Sequence, residues 1–292
     1  MFSGERAIKH YVDKRDLKGL IGYFGLANFQ EEILSMARPS KRMFATRTDN
    51  PQKLSRLGGK PVVPGDFDWP VSTAGLPLSF ICQIDLNEFG FWAEENHLPP
   101  EGSLALFYDA REQPWGYDSS EKYGWRVYHF DEEKSSLELD FPLNLDENFC
   151  FPHCSLEFKD ELTFPDFQDL LCENLKFAES ESYTEFCNSW YQYGDDSCHR
   201  LLGYPQLIQG DVRAECNRSF HGIFDQDPDG RAMDRDREIE EEAKSWDLLL
   251  QIDNDEESGM MWGHQGTLYL CMPQDKIRER KFEDCWLILQ CL

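Results

Sequence analysis

The chain lacks any apolar run near the roughly 20 residues that a membrane-spanning helix needs. Its first residues, MFSGERAIKHYVDKRD, carry too much charge for a secretory signal. A soluble, cytoplasmic protein is therefore expected. Ten cysteines are present, but no two are spaced Cys-x-x-Cys. The closest pair, Cys150 and Cys154 in CFPHC, has no second pair to complete a zinc site, so the cysteines read as reduced, mostly buried thiols. There is no Gly-x-x-x-x-Gly-Lys-Ser/Thr loop, no Gly-x-Ser-x-Gly elbow and no His-Glu-x-x-His. Positive charge is scarce. Against 55 Asp and Glu stand 29 Lys and Arg, a net charge of −26. Such a surface repels nucleic acid and anionic membrane, and attracts basic proteins or divalent cations.

What is present is a globular composition, 40% hydrophobic and 14% aromatic, in 292 residues. The charge is uneven. Residues 1–49 carry +3 and the remainder −29. The first 38 residues look helical. NFQEEILSMAR places Phe29, Ile33, Met36 and Ala37 on one face, with Asn28 as cap and Pro39 as terminator. Residues 41–48 (KRMFATRT) alternate as a strand does. So do GSLALFY at 102–108, GWRVYHF at 124–130 and GTLYLCM at 266–272, each opened by glycine, and CWLILQC at 285–291 is a further short apolar run. Helices are expected over 164–178 and over 233–246, the second charged on nearly every face. Many short strands with few helices predict a β-rich α+β fold of mostly antiparallel sheets with a few peripheral helices.

Three landmarks recur in one order. LGGKP at 57–61 returns as LLGYP at 201–205; FICQID at 80–85 returns as LLLQID at 248–253; the strand at 102–108 returns at 266–272. The offsets are 144, 168 and 164, so the second copy carries extra residues between its proline and its Gln-Ile-Asp strand. Ordered recurrence predicts an internal duplication with a pseudo-two-fold relation. The expected organisation is an N-terminal helical arm over 1–40 and a domain over 41–292. Within it, halves fall at about 41–130 and 199–292, joined by a helical connection at about 160–195.

In each copy one strand face is apolar, Phe80, Cys82 and Ile84 or Leu248, Leu250 and Ile252. The other turns polar at Gln83 and Asp85 or at Gln251 and Asp253. A Gln on a nearly buried strand must find partners, most cheaply the backbone of an adjoining loop, and the Asp is placed to organise the turn that follows. The competing reading brings the four side chains together as a polar site for acid–base or metal chemistry.

These same stretches, LGGKPVVPGDFDWPVSTAGLPLSFICQIDL, LPPEGSLALFYD, HRLLGYPQLIQGD, WDLLLQIDND and MMWGHQGTLYL, resemble the YwqG-like family of uncharacterised proteins over about residues 41–292. The resemblance implies a β-rich fold with similar halves. No activity is established for that family. Its occurrence near toxin systems in some bacterial loci implies an immunity-like role. His264 stands where the family pattern suggests an acidic residue, which adds it to the candidate polar positions.

The extra residues of the second copy include DQDPDGRAMDRD at 225–236. The spacing is that of a calcium loop, with Asp225, Asp227, Asp229, the Arg231 carbonyl and Asp236 as ligands and Gly230 at the sharp turn. Asp in place of Glu at the twelfth position and Pro228 depart from that pattern, and a solvated acidic loop is the simpler account. Trp115, Tyr117, Tyr123 and Trp125 form an aromatic cluster, read as a self-packed hairpin or a recognition surface. The leading expectation is a non-enzymatic, acidic protein-interaction module of immunity or inhibitor type with a basic protein partner. The alternatives are a calcium-dependent hydrolase or binding protein on the Gln-Ile-Asp carboxylates, and a structural subunit tethered by the basic arm.

Overall fold

The computed structural model describes residues 15–50, 53–131, 136–167, 179–191, 197–223 and 232–292, the side chains of 232–237 excepted. Twelve strands are present among them: β1 (Arg38–Arg47), β2 (Arg56–Leu57), β3 (Val62–Pro64), β4 (Ser79–Asp85), β5 (Ser103–Tyr108), β6 (Trp125–Phe130), β7 (Ser136–Glu138), β8 (Cys154–Thr163), β9 (His199–Leu201), β10 (Trp246–Asp253), β11 (Thr267–Pro273) and β12 (Trp286–Gln290). The helices are α1 (Leu17–Tyr23), α2 (Gln30–Met36), α3 (Phe91–Glu95), α4 (Ser180–Tyr191), α5 (Val212–Phe220), α6 (Ala232–Ala243) and α7 (Gln274–Arg278).

Ten strands form one sheet in the order β12-β11-β10-β9-β1-β8-β2-β4-β5-β6, and every neighbouring pair is antiparallel. Its middle is the long ladder of β1 on β8, from Arg38 opposite Thr163 to Arg47 opposite Cys154. β2 pairs with β8 rather than with β1, and β9 with β1 rather than with β8. β3 and β7 form a separate two-stranded ribbon. Strands β5 and β11, each second from an edge of the sheet, read as continuous apolar runs because both of their faces are covered.

The sheet curls until it nearly closes. Leu289 N donates to Trp115 O (2.9 Å) and Trp125 Nε1 to Cys285 O (3.4 Å). The rings of Trp125 and Trp286 meet edge to face at 5.1 Å. One continuous core results, in which Ile84, Leu104 and Leu106 share a cluster with Leu250, Leu268 and Leu289. Outside the sheet, α1, α2 and α4 pack a second cluster around Ile21, Ile33, Phe164 and Phe186. A third lies beneath Phe67 and Trp69 on Phe80 and Phe107. Among the described residues no helix is long and apolar enough to cross a membrane.

Two details correct the local expectations. The N-terminal helix ends at Met36 and β1 starts at Arg38, so Pro39 lies inside a strand rather than marking the helix end. Asn28 does not cap α2, which instead continues from a 3-10 turn at Ala27–Phe29. Helix α6 lies where the charged segment at 233–246 was expected; residues 168–178 of the other expected helix lie outside the described residues.

Candidate functional site

The two Gln-Ile-Asp strands carry a β-bulge at matching positions, between Phe80 and Cys82 in β4 and between Leu248 and Leu250 in β10. An extra residue reverses the alternation of faces. Strict alternation puts Phe80 with Cys82 and Ile84. In the register Phe80 lies opposite Phe107 and Gln83 opposite Ala105, and Phe80, Ala105 and Phe107 form the outer cluster. Gln83 therefore shares its face with Phe80.

Both glutamines are buried, and both are spent mainly on backbone, Gln83 on the first residue of β3 and Gln251 on two loops. Gln83 Oε1 accepts from Val62 N (2.9 Å), while its Nε2 donates to Val62 O (2.8 Å) and Ser103 Oγ (2.9 Å). Gln251 Oε1 accepts from Gln206 N (2.9 Å) and its Nε2 donates to Cys198 O (2.8 Å). The segments they hold begin alike. Gly58 N donates to Ile81 O (2.8 Å), and Leu202 N to Leu249 O (3.1 Å). Arg56 Nη1 donates to Lys60 O (3.0 Å), and Arg200 Nη1 to Tyr204 O (2.7 Å). Gly58 and Leu202 take the same left-handed φ, +58° and +59°. That conformation costs a leucine roughly 1–2 kcal/mol and a glycine little.

The aspartates diverge. Asp85 Oδ1 accepts from Asn87 N (3.1 Å) and Nδ2 (2.8 Å), capping the turn at Leu86–Glu88. Asp253 uses both oxygens. Oδ1 accepts from Asn254 N (2.9 Å) and Thr267 Oγ1 (2.9 Å), and Oδ2 from Cys198 N (2.8 Å). Four strands separate β4 from β10 in the sheet, and among the described residues no hydrogen bond joins Gln83 or Asp85 to Gln251 or Asp253. His264 lies on an exposed turn, where its carbonyl accepts from Leu292 N (3.1 Å). Asp225, Asp227, Asp229 and Arg231 of the expected calcium loop, and the side chain of Asp236, lie outside the described residues. Among the described residues no group of three or more His, Cys, Asp or Glu is arranged to hold a metal ion.

A polar cluster not indicated by the motifs sits beside Gln251. Arg42 pairs in register with Arg200, and Arg200 with Gln251, so the three share a face. Arg42 Nη1 donates to Cys198 Sγ (2.7 Å) and Nη2 to Ser197 O (2.9 Å). Arg200 Nη2 donates to the same sulfur (3.2 Å) and to Glu161 Oε2 (3.1 Å), and its guanidinium lies 4.6 Å above the Tyr191 ring. Burial pushes the Cys198 thiol up, against the pull of the two guanidinium groups, so the sulfur serves as a protonated acceptor.

His199 takes the opposite face, opposite Met43. Its Nδ1 accepts from Asp253 N (3.0 Å), which leaves the proton on Nε2, 3.5 Å from Asp255 Oδ2. Asp255 also accepts from Ser258 N (2.6 Å) and Ser197 Oγ (3.3 Å). Burial pushes its carboxyl up, but the His199 imidazole beside it and the bond from Ser258 N outweigh this and hold it at about 2. Because Cys198 and His199 face opposite sides, they form no thiol–imidazole dyad. One signal for the cluster was available: the residue ahead of each repeated Leu-x-Gly-x-Pro is an arginine, Arg56 and Arg200.

Residues 55–291 match the family model of a domain of unknown function, DUF1963, and the chain belongs to that family. The matched span starts at Ser55, after β1, although β1 lies in the middle of the sheet. A search of curated proteins finds no match.

Proposed function

We propose that this is a non-enzymatic protein-interaction module of the YwqG-like, immunity or inhibitor type, acting in the cytoplasm. Its scaffold is a duplicated half, and its acidic surface receives a basic protein partner. The observation that carries this reading is the use of Gln83 and Gln251. The residues that recur between the copies are consumed in holding backbone, so the recurrence speaks for architecture rather than for chemistry. Matching bulges, matching bonds at offsets of 144 and 168, and a strand order that reads alike from either edge inward support the duplication and a pseudo-two-fold axis between β1 and β8. In that arrangement the first strand of each half, β1 or β8, pairs with the second strand of the other, which locks the halves together.

The acidic surface is well displayed on α6, where Glu238, Glu240, Glu241 and Glu242 are exposed around buried Ile239 and Ala243. Unpaired thiols at nine described cysteines suit a reducing compartment. The test is affinity capture with the purified chain at low and at high salt. The expected outcome is a basic protein retained at low salt and released at high salt. Calcium-dependent turnover of a small substrate with no retained protein would favour the hydrolase reading instead.

A further inference from the structure

The two edges of the sheet are finished differently. On β12 the outer edge is met by Trp115 and Gly116, through the bond from Leu289 N to Trp115 O and from Trp286 Nε1 to Gly116 O (2.7 Å). On β6 every residue pairs with β5, and among the described residues no strand continues the sheet on the far side. Residues 280–285 run alongside, but among the described residues no backbone hydrogen bond joins them to β6; side chains reach across, the Trp125 indole to Cys285 O and the His129 ring to the Phe282 ring at 5.7 Å. Between the two lies a groove of about 720 Å³.

Charged side chains of both signs line the groove, Lys122, Arg126 and Arg280 with Asp131 and Glu283, an excess of one positive charge in a chain of net charge −26. None of the three cations has an ion-pair partner among the described residues. Arg126 instead lies over the ring of Tyr123, which is 55% exposed, and Phe282 forms part of the apolar wall. A free strand edge offers backbone donors and acceptors to an extended segment, and the alternating side chains of that segment then meet the two walls.

We propose that this groove takes an extended acidic segment of a partner protein, added as an eleventh strand on β6. Six residues of β6 accommodate a segment of about 20 Å. The carboxylates of the segment meet Lys122, Arg126 and Arg280, and its apolar side chains lie along the exposed ring of Tyr123 and the half-buried ring of Tyr128. This site is independent of the acidic-surface reading, since it selects partners of the opposite charge.

The test uses the full chain and a blocked heptapeptide of alternating Glu and Val, with an alternating Lys and Val peptide and a Glu-Val peptide N-methylated at alternate residues as controls. Binding is followed by amide chemical shifts and by hydrogen exchange. The expected result is saturable binding of the acidic peptide, shifts centred on 125–130 and 280–285, and slowed exchange of alternate amides in β6. The doubly substituted R126E/R280E chain is expected to bind at least about tenfold more weakly, with binding of the wild type falling as salt rises. If that variant fails to fold, R280E alone, on an exposed turn, reads the same effect. Equal binding of the lysine peptide or of the N-methylated peptide, absence of binding at millimolar peptide, or sedimentation showing a dimer joined through β6 would each overturn the proposal.

Discussion

Gln83 and Gln251 perform one task at two places: each side-chain oxygen accepts from a backbone N–H at 2.9 Å, and each side-chain nitrogen donates to a backbone carbonyl at 2.8 Å. Replacing either by leucine leaves those backbone groups buried without partners. The expected cost is about 2–4 kcal/mol for each substitution. Urea unfolding of the two single variants and of the double variant checks this, and the two effects should add to within about 0.5 kcal/mol because the sites share no partner. A cost near zero in either variant would mean that the glutamines are not what holds these segments.

Arg200 and Glu161 are both fully buried, at 3.1 Å from each other. Arg200→Met removes the nearer of the two cations beside buried Glu161 and leaves it only Arg15, at 3.7 Å, so a loss of about 3 kcal/mol is expected. The double variant Arg200→Met with Glu161→Leu should recover much of that loss. The comparison is made by thermal and urea unfolding. Failure of the second substitution to recover stability would place the cost of the first elsewhere, in the lost bonds to Tyr204 O and Cys198 Sγ.

Asp255 gives a pH dependence whose sign follows from its lowered folded-state value of about 2. The unfolded chain, with an ordinary carboxylate near 3.9, binds the proton more readily. Asp255 therefore adds stability above about pH 4 and loses it as the pH falls toward 2, by about 2 kcal/mol in all. Asp255→Asn should remove this part of the profile, so that the stability difference between wild type and variant narrows below pH 4. An unchanged difference from pH 6 to pH 2.5 would show that the carboxylate is not held by His199.

Gly116 closes the seam between the sheet edges. Its φ is +83°, and a Cβ placed there would overlap the carbonyl oxygen of Leu287. Gly116→Ala should cost about 2 kcal/mol or more, from backbone strain together with displacement of β12. Hydrogen exchange should locate the effect, with amides of β12 exchanging faster while those of β4 and β5 keep their protection. Uniform acceleration across the sheet would instead indicate a global loss of stability.

Much of the fold was legible, and the failures have definite causes. Strands β5, β6, β11 and β12 lie where apolar runs opened by turns predicted strands, because covered strands advertise themselves by composition. β8 was not visible, because CSLEFKDELT is charged along its length. Its charges find partners far away in the chain, as where Lys41 meets Asp160 at 2.5 Å and Arg15 meets Glu161 at 3.7 Å. The backbone-binding role of the glutamines was readable from burial alone, since a buried amide has few affordable partners. The bulges that turn Phe80 onto their face were not, since one extra residue leaves no mark in a short apolar run.

The sequence by itself determined the class of fold, the recurrence of three landmarks, the excess of negative charge and the obligation of each buried Gln to find backbone. These follow from composition, period and the cost of unsatisfied polar groups, all of which are local. Tertiary structure alone decided that β1 and β8 lie together at the centre with β2 and β9 outside them. It alone placed Arg42, Glu161 and Arg200 around the sulfur of Cys198, and left β6 as an open edge beside three cations without ion-pair partners. The pairing of β1 with β8 and the bond from Arg42 to Cys198 join residues more than a hundred positions apart, and their energies depend on register and burial, which no window of sequence contains.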